Sequence, residues 1–425
     1  MKAIAMRFAT LDEWLEWQLT LNPTEIRLGL DRVGAVWKKI HPAPITAQVI
    51  TVSGTNGKGS SVAFLREILT ASGYRVGCYT SPHLSRYNER ILVDGQEAAD
   101  GAICGAFEVI DQMRGEIPLT YFEFGTLAAL LLFCKADLDV IILEVGLGGR
   151  LDAVNIIDAD VALITTIDLD HMDWLGNTRE TIGYEKAGIM RPGRPAIFAG
   201  ENVPDSVLRH AREIGCPLFL AGRDFSFSST EQSWEWQAGS SKRHSLPLPT
   251  LRGRFQLNNA AAVLMVLEQV KNRLPVDQQG VRSGLLSAKV PGRFELVGKE
   301  PVVILDVAHN PEAARALSAN LGDMYCAGES VAVFSMLGDK DIDQVVATMS
   351  GVVDRWHICP LSTQRAAGIE ELQTSLQRSG ISPGKISVFP DCAAALAAAR
   401  DCAGPQGRVV AFGSFYLVGA VRGLL

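Results

Sequence analysis

An apolar-rich run, Ala47-Gln48-Val49-Ile50-Thr51-Val52, passes directly into Ser53-Gly54-Thr55-Asn56-Gly57-Lys58-Gly59-Ser60, and a helical pattern follows from about Ser61 to Ser72. A strand that ends in a glycine turn, carries a lysine and opens a helix restricts the fold sharply. Backbone N–H groups at the turn and at the helix N-terminus converge on one point, and the lysine adds positive charge there, so the unit reads as a phosphate cradle. The spelling departs from the usual G-x-x-x-x-G-K-[ST] loop. Gly54 and Gly57 stand closer together, and Gly59 occupies the place of the metal-binding hydroxyl. Thr55 and Asn56 bring side-chain donors, and Ser60 is placed to cap the helix.

The rest of the chain repeats this alternation. Apolar strands are predicted at Val76–Tyr79, Val140–Leu143, Val161–Thr165 and Pro195–Phe198, with helices at Leu127–Lys135 and Thr178–Ala187. Such an order argues for a mainly parallel sheet with helices on both faces. The first forty residues are helical around a turn at Leu21-Asn22-Pro23. Residues 222–249 turn polar, with Trp234 and Trp236 alternating, and are expected to be a small antiparallel excursion, a decorated surface hairpin. After the Pro291-Gly292 turn a second series begins, with strands at Val302–Leu305, Val331–Phe334, Trp356–Cys359, Ile386–Phe389 and Val409–Ala411. The expected domains are therefore 1–295 and 296–425, an α/β chain whose larger domain has a mainly parallel sheet.

Length supports two or three domains, since 425 residues exceed one ordinary core. The net charge of −7 and the absence of a long basic run argue against a nucleic-acid binder. Eight scattered cysteines without a C-x-x-C pair fit a reducing cytoplasm better than a disulfide scaffold. The acidic residues Asp12, Glu13 and Glu16 do not suit a signal peptide, and Leu127 to Cys134 is too short to span a bilayer.

In an open α/β sheet the strand C-termini gather at the ligand crevice, so polar residues just after strands are the candidates for chemistry. Ser81, in Tyr79-Thr80-Ser81-Pro82-His83, is placed to supply the hydroxyl that Gly59 lacks, or is simply a turn residue before proline. Glu144 ends a buried strand, where a carboxylate is costly unless it meets a metal or a cation. His171 lies among Asp168, Asp170 and Asp173 at the next strand end, as a ligand or a structural residue. Lys186 sits on a helix, where solvation is the default. In the second series Asp306 suits a ribose hydroxyl, and Arg293 a phosphate or a linker ion pair.

Taken in order, the motifs LGLDRV (from Leu28), SGTNGKGS, TSPHL, LEVGLGGRLDAVN, DHMDWLG, EKAGI, FQLNNA, PGRFE, DVAHNP and FGSFYLVG resemble the folylpolyglutamate synthase / dihydrofolate synthase family, relatives of the Mur ligases. The resemblance implies a Mur-ligase-like P-loop ATPase domain and a smaller Rossmann-like C-terminal domain. It places Gly57, Lys58 and Gly59 in the ATP phosphate loop, and Ser81, Glu144 and His171 as magnesium ligands. Lys186 matches a lysine carbamylated in the family, whose added carboxylate helps hold a second magnesium. Asn259, Arg293 and Asp306 match nucleotide-binding positions. Arg27, Leu28, Gly29 and Leu30, with Thr120, Tyr121, Phe122, Glu123, Leu151, Asp152 and Ala153, match the dihydropteroate pocket of bifunctional members. Asp306-Val307-Ala308-His309 departs from the family's more usual D-G-A-H at a backbone position only.

The implied reaction is amide ligation driven by ATP, through an acyl phosphate that the amine of L-glutamate attacks, with His309 as a helper near that glutamate. Dihydropteroate and tetrahydrofolates are the expected acceptors, and the expected partners are small molecules alone, with no nucleic acid, no membrane and a monomeric chain. The alternatives are a mono-functional enzyme of the same family, a Mur-type amino-acid ligase, and a nucleotide-switch protein. The lack of a nucleotide-sugar domain before Val49 counts against the Mur-type ligase.

Overall fold

The computed structural model describes residues 7–22, 26–40 and 45–425, so Pro23 of the expected first turn lies outside the described residues. The chain forms two compact units. The first comprises the chain up to His83 with Tyr87–Thr250 and Leu257–Ala288, and the second Leu84–Arg86, Leu251–Gln256 and Lys289–Leu425.

The first unit opens with α1 (Leu11–Leu21) and α2 (Asp31–Ile40). Thr10 and Glu13 form a reciprocal capping box that starts α1. Its Trp14 is fully buried and packs at 5.9 Å on Phe107 of the later helix α4 (Asp100–Arg114). Strand β1 (Gln48–Ser53) is buried at every residue and runs into α3 (Lys58–Ala71). Then come β2 (Val76–Tyr79), β3 (Ile91–Val93), β4 (Gln96–Glu97), α5 (Tyr121–Lys135), β5 (Val140–Glu144) and β6 (Val161–Ile164). Next are α6 (Met172–Leu175), α7 (Arg179–Ala187), β7 (Ala196–Phe198), α8 (Asp205–Ile214) and β8 (Leu218–Leu220). The eight strands lie in the order β4-β3-β2-β5-β1-β6-β7-β8. All neighbours from β2 to β8 are parallel, and β3 and β4 add an antiparallel edge. Buried on both faces, the central strands read as continuous apolar runs. The edge hairpin was not among the expected strands; it turns at Asp94-Gly95, both at positive φ, the backbone a two-residue hairpin turn requires.

Strands β9 (Ser226–Ser229), β10 (Ser233–Ala238) and β11 (Ser241–Pro247) form a separate antiparallel sheet. The antiparallel excursion is as expected, and its placement as a surface hairpin is corrected. Trp234 and Trp236 are almost wholly buried, and the Trp236 indole donates at 3.0 Å to the Ala261 carbonyl of α9 (Arg254–Val270). Trp236 thus meets a helix, while the Trp234 indole donates at 2.9 Å to the Pro247 carbonyl of β11. The last helix of this unit, α10 (Gln278–Ser287), lies so close on α3 that a Cβ on Gly284 would meet the Ile68 backbone at 2.5 Å.

The second unit holds β12 (Glu295–Leu296), β13 (Val302–Asp306), β14 (Ser330–Phe334), β15 (Arg355–Ile358), β16 (Ile386–Val388) and β17 (Arg408–Phe412). Their order is β12-β13-β17-β14-β15-β16, parallel except for β12. The helices between them are α11 (Pro311–Gly322), α12 (Ile342–Met349), α13 (Ile369–Arg378), α14 (Cys392–Ala403) and α15 (Phe415–Arg422). Phe334 packs edge-on to Trp356 at 5.2 Å and against Phe412 at 5.1 Å, an aromatic centre beneath the sheet.

Candidate active site

The parallel order β2-β5-β1-β6 sends the segments after these four strands to one sheet edge. The glycine loop follows β1 and is tied to the end of β6. The Thr55 amide donates to the Thr166 carbonyl at 2.8 Å, the Asn56 amide to Thr166 Oγ1 at 3.1 Å, and Thr165 Oγ1 to the Asn56 carbonyl at 2.6 Å. Gly54 has φ +149°, and a Cβ there would lie 1.8 Å from Thr165 Oγ1, so only glycine fits. Lys58 Nζ donates to the carbonyls of Gly54 at 2.8 Å and Thr55 at 3.2 Å, which curls the loop around its ammonium. Thr165 and Thr166 were missed in the sequence because threonine at a strand end carries no signal of its own.

Helix α3 begins at Lys58, earlier than expected. Its N-cap is Gly57 at φ +90° with no side-chain cap, so Ser60 is buried in the first turn and does not cap. That early start keeps the first-turn amides next to the loop, the arrangement that attracts an anion. Asn259 of α9 lies against the same point: a Cβ on Gly57 would come within 2.6 Å of Asn259 Oδ1.

Glu144, the last residue of β5, is 5% exposed and accepts from the Ser81 backbone amide at 3.2 Å. A Cβ on Gly59 would stand 3.9 Å from Glu144 Oε1, so the residue after the lysine faces this carboxylate. Ser81, Glu144 and the glycine loop are therefore brought together. His171 follows β6 at φ +51° and heads the short helix α6, with its Nε2 3.9 Å from Asp170. Among the described residues no group of three or more His, Cys, Asp and Glu side chains gathers as a cation cage. Lys186 is 4% exposed on α7. That helix packs on the turn after β5: the Arg150 amide donates to the Glu185 carbonyl at 2.8 Å, and a Cβ on Gly149 would meet the Glu185 and Lys186 carbonyls at 2.9 and 3.0 Å.

The three segments matched to a pterin pocket also converge. The Gly29 amide donates to the Leu151 carbonyl at 3.1 Å, and a buried ion pair of 3.0 Å joins Arg32 to Glu123. Thr120 and Glu123 form the capping box of α5, which starts six residues before the expected Leu127. Phe122 covers the glycine turn, where a Cβ on Gly146 would touch its ring at 2.6 Å. Asp152 accepts from Leu147 N at 2.9 Å and Val154 N at 3.1 Å. Burial pushes its carboxyl up to about 7, against those amides and the Lys58 ammonium. Tyr121 stands beside Arg90, whose guanidinium lies over its ring at 5.6 Å and donates at 2.7 Å to His83 Nδ1. Burial, with the Arg90 charge, holds His83 neutral down to about 4.

In the second unit Asp306 accepts from Phe294 N and Ala308 N, both at 2.8 Å. Burial raises its carboxyl, and the Arg293 guanidinium pulls the other way. Arg293 lies over the Phe415 ring at 5.7 Å. His309 Nδ1 is 2.8 Å from the Val307 carbonyl, so that nitrogen carries the proton and Nε2 is left as the acceptor.

A glycine-loop sheet followed by a second parallel α/β unit is the plan of a Mur-type ligase. The Mur ligase middle domain matches residues 52–267, and the Mur ligase glutamate ligase domain matches residues 292–415. The chain is 44% identical over 97% of its length, and 94% of the relative's, to the dihydrofolate synthase/folylpolyglutamate synthase of Escherichia coli (strain K12). Its fold is similar, at a TM-score of 0.93 and 43% identity, to E. coli FolC in complex with DHPP and ADP, covering 98% of this chain and 97% of that one. A bifunctional folylpolyglutamate synthase/dihydrofolate synthase with Mn, AMPPNP and L-glutamate bound is similar at a TM-score of 0.90 and 43% identity, covering 98% of each chain. This chain belongs to the dihydrofolate synthase/folylpolyglutamate synthase family of Mur-type ATP-dependent ligases.

Proposed function

We propose that this chain is bifunctional: it joins dihydropteroate to L-glutamate, giving dihydrofolate, and adds further glutamates to tetrahydrofolates. The observation that carries the reading is the convergence of residues 27–30, 120–123 and 151–153, at a glycine turn whose Gly148 carbonyl accepts from Ser53 Oγ, at the start of the glycine loop, at 2.7 Å. A polyglutamate-only enzyme has no need of a dihydropteroate pocket.

A carboxylate acylates poorly because its leaving group would be oxide. Transfer of the ATP γ-phosphoryl group to the pterin carboxylate gives an acyl phosphate and ADP; the glutamate amine then attacks the acyl carbon, and phosphate leaves as the amide forms. The amides of Gly54–Ser60 and the Lys58 ammonium are assigned to hold the phosphates and meet the charge that develops on the transferring group. Asn259 is assigned to the nucleotide beside Gly57, and Arg293 and Asp306 to nucleotide contacts in the second unit. His309, with Nε2 as acceptor, suits proton removal from the attacking amine.

Magnesium would supply charge neutralisation at the transferring phosphoryl group. Buried Glu144 with Ser81 offers hard oxygen donors beside the phosphate loop, a set that suits an ion keeping several waters and phosphate oxygens, and His171 is assigned as the third ligand. Lys186 is buried, where an ammonium is costly. Addition of carbon dioxide would make it an anionic oxygen donor for a second ion. A carbamate adds a mass increment that a lysine lacks, so intact-protein mass measured at neutral pH decides this point. We assign the enzyme to the cytoplasm as a monomer; among the described residues no helix is long and apolar enough to cross a membrane.

The acyl phosphate is tested by isotope transfer. Dihydropteroate labelled with ¹⁸O in its carboxylate should pass one label to the released phosphate. Phosphate free of label would remove the intermediate from the mechanism.

A further inference from the structure

Arg32 is an uneconomical residue where it stands. It occupies the second position of α2, where the helix dipole disfavours a cation. Its side chain is largely covered, 17% exposed, and that of its partner Glu123 is 4% exposed. Burying such a pair costs desolvation that its attraction does little more than offset, so a buried ion pair is weak evidence of stabilisation and is better examined for what it positions.

The contacts show what that is. One nitrogen, Arg32 Nη2, donates to the Arg27 carbonyl at 2.7 Å and meets Glu123 Oε1 at 3.0 Å. The other oxygen of Glu123 is fixed by the Thr120 amide at 2.7 Å, and the Glu123 amide returns a bond to Thr120 Oγ1 at 3.2 Å. A third tie runs from the Gly29 amide to the Leu151 carbonyl at 3.1 Å. Gly29 stands at φ +141° in a stretch without regular structure, so the segment has no ladder of its own to hold it. The guanidinium therefore fastens residues 27–30 to the head of α5, while Leu151 fastens them to the turn that carries Asp152.

We propose that Arg32, acting through Glu123, is a positioning residue that sets the pterin pocket and so determines affinity for the pterin substrate, without touching the phosphate site. The proposal rests on the pterin-pocket reading above. Arginine is suited to the task because one nitrogen of its guanidinium bonds the Arg27 carbonyl and faces the Glu123 carboxylate, and the planar group fixes that nitrogen more rigidly than a lysine stem fixes its ammonium.

The test is steady-state kinetics on the full chain for wild type, Arg32→Gln, Arg32→Lys and Glu123→Gln, with KM measured separately for dihydropteroate, ATP and glutamate, and thermal melting alongside. Arg32→Gln should raise KM for dihydropteroate about ten-fold, the scale of one lost charge-assisted hydrogen bond, with KM for ATP within about two-fold of wild type. Arg32→Lys should recover part of that loss. Combining Arg32→Gln with Glu123→Gln should cost less than the two single changes together, because both break one linkage. An unchanged KM for dihydropteroate in folded Arg32→Gln or Arg32→Lys protein would overturn the proposal, as would a parallel rise in KM for ATP. Wild-type protein that fails to ligate dihydropteroate would overturn the pocket reading itself, and the positioning role with it.

Discussion

Asp152 in the first unit and Asp306 in the second are built alike. Each accepts the amide two residues ahead on Oδ1, from Val154 and Ala308 respectively, and each takes a distant amide on Oδ2, from Leu147 and Phe294. Both are buried and both are raised by that burial. They differ in the cation. The Arg293 guanidinium is the leading influence that opposes burial at Asp306, whereas Asp152 relies first on backbone amides and only last on Lys58. Asp152 is consequently left to titrate at about 7. One turn geometry thus sits in two electrostatic settings: an acid held beside a permanent charge, and an acid held chiefly by backbone amides.

The largest expected effect comes from removing the cation of the first unit's glycine loop. Lys58→Ala should lower kcat for both ligations by about a thousand-fold or more, because the transferring phosphoryl loses its fixed positive charge. The melting temperature should hold near the wild-type value; preserved turnover would end the phosphate-cradle assignment. Lys186→Ala comes next, with an expected loss of about a hundred-fold and partial return on adding short carboxylic acids, if a carbamate supplies the missing oxygen donors.

Asp152→Asn sharpens the comparison through pH. A carboxyl raised by folding holds its proton more tightly in the folded chain. The stability it contributes is present at low pH and is lost as pH climbs from the ordinary carboxylate value through about 7. Melting measured from pH 5 to 8 should therefore fall less steeply in Asp152→Asn. The smallest effect belongs to Arg293→Gln, which should push the Asp306 titration upward with little change in dihydropteroate KM, read by NMR of the labelled aspartate carboxyls.

Much of this was legible in the sequence, for identifiable reasons. Central parallel strands are rich in apolar residues, so β1, β2, β5, β6 and β13 stand out, and the residues that end β5 and β13, Glu144 and Asp306, are conspicuous because a carboxylate is out of place there. The glycine loop was equally visible because Gly54 and Gly57 have backbone angles and close neighbours that exclude other residues. Less visible were features that depend on contacts distant in the chain. Thr165 and Thr166 anchor the loop through a neighbouring strand that only the fold supplies. Trp234 and Trp236 alternate like surface residues of a hairpin, yet both are buried, Trp236 against α9, whose position the local pattern does not encode. Arg32 looks like a solvated helix residue until Glu123, ninety-one positions later, is placed beside it. The Asp94-Gly95 hairpin was not among the expected strands, although Asp-Gly between a short apolar run and a polar one is a strong turn signal.

Glutamate-dependent ADP release, measured with dihydropteroate and separately with a tetrahydrofolate, tests the central claim most directly. The account predicts release with either pterin that requires glutamate in both cases. Release that proceeds without glutamate, or that fails with dihydropteroate, would contradict it.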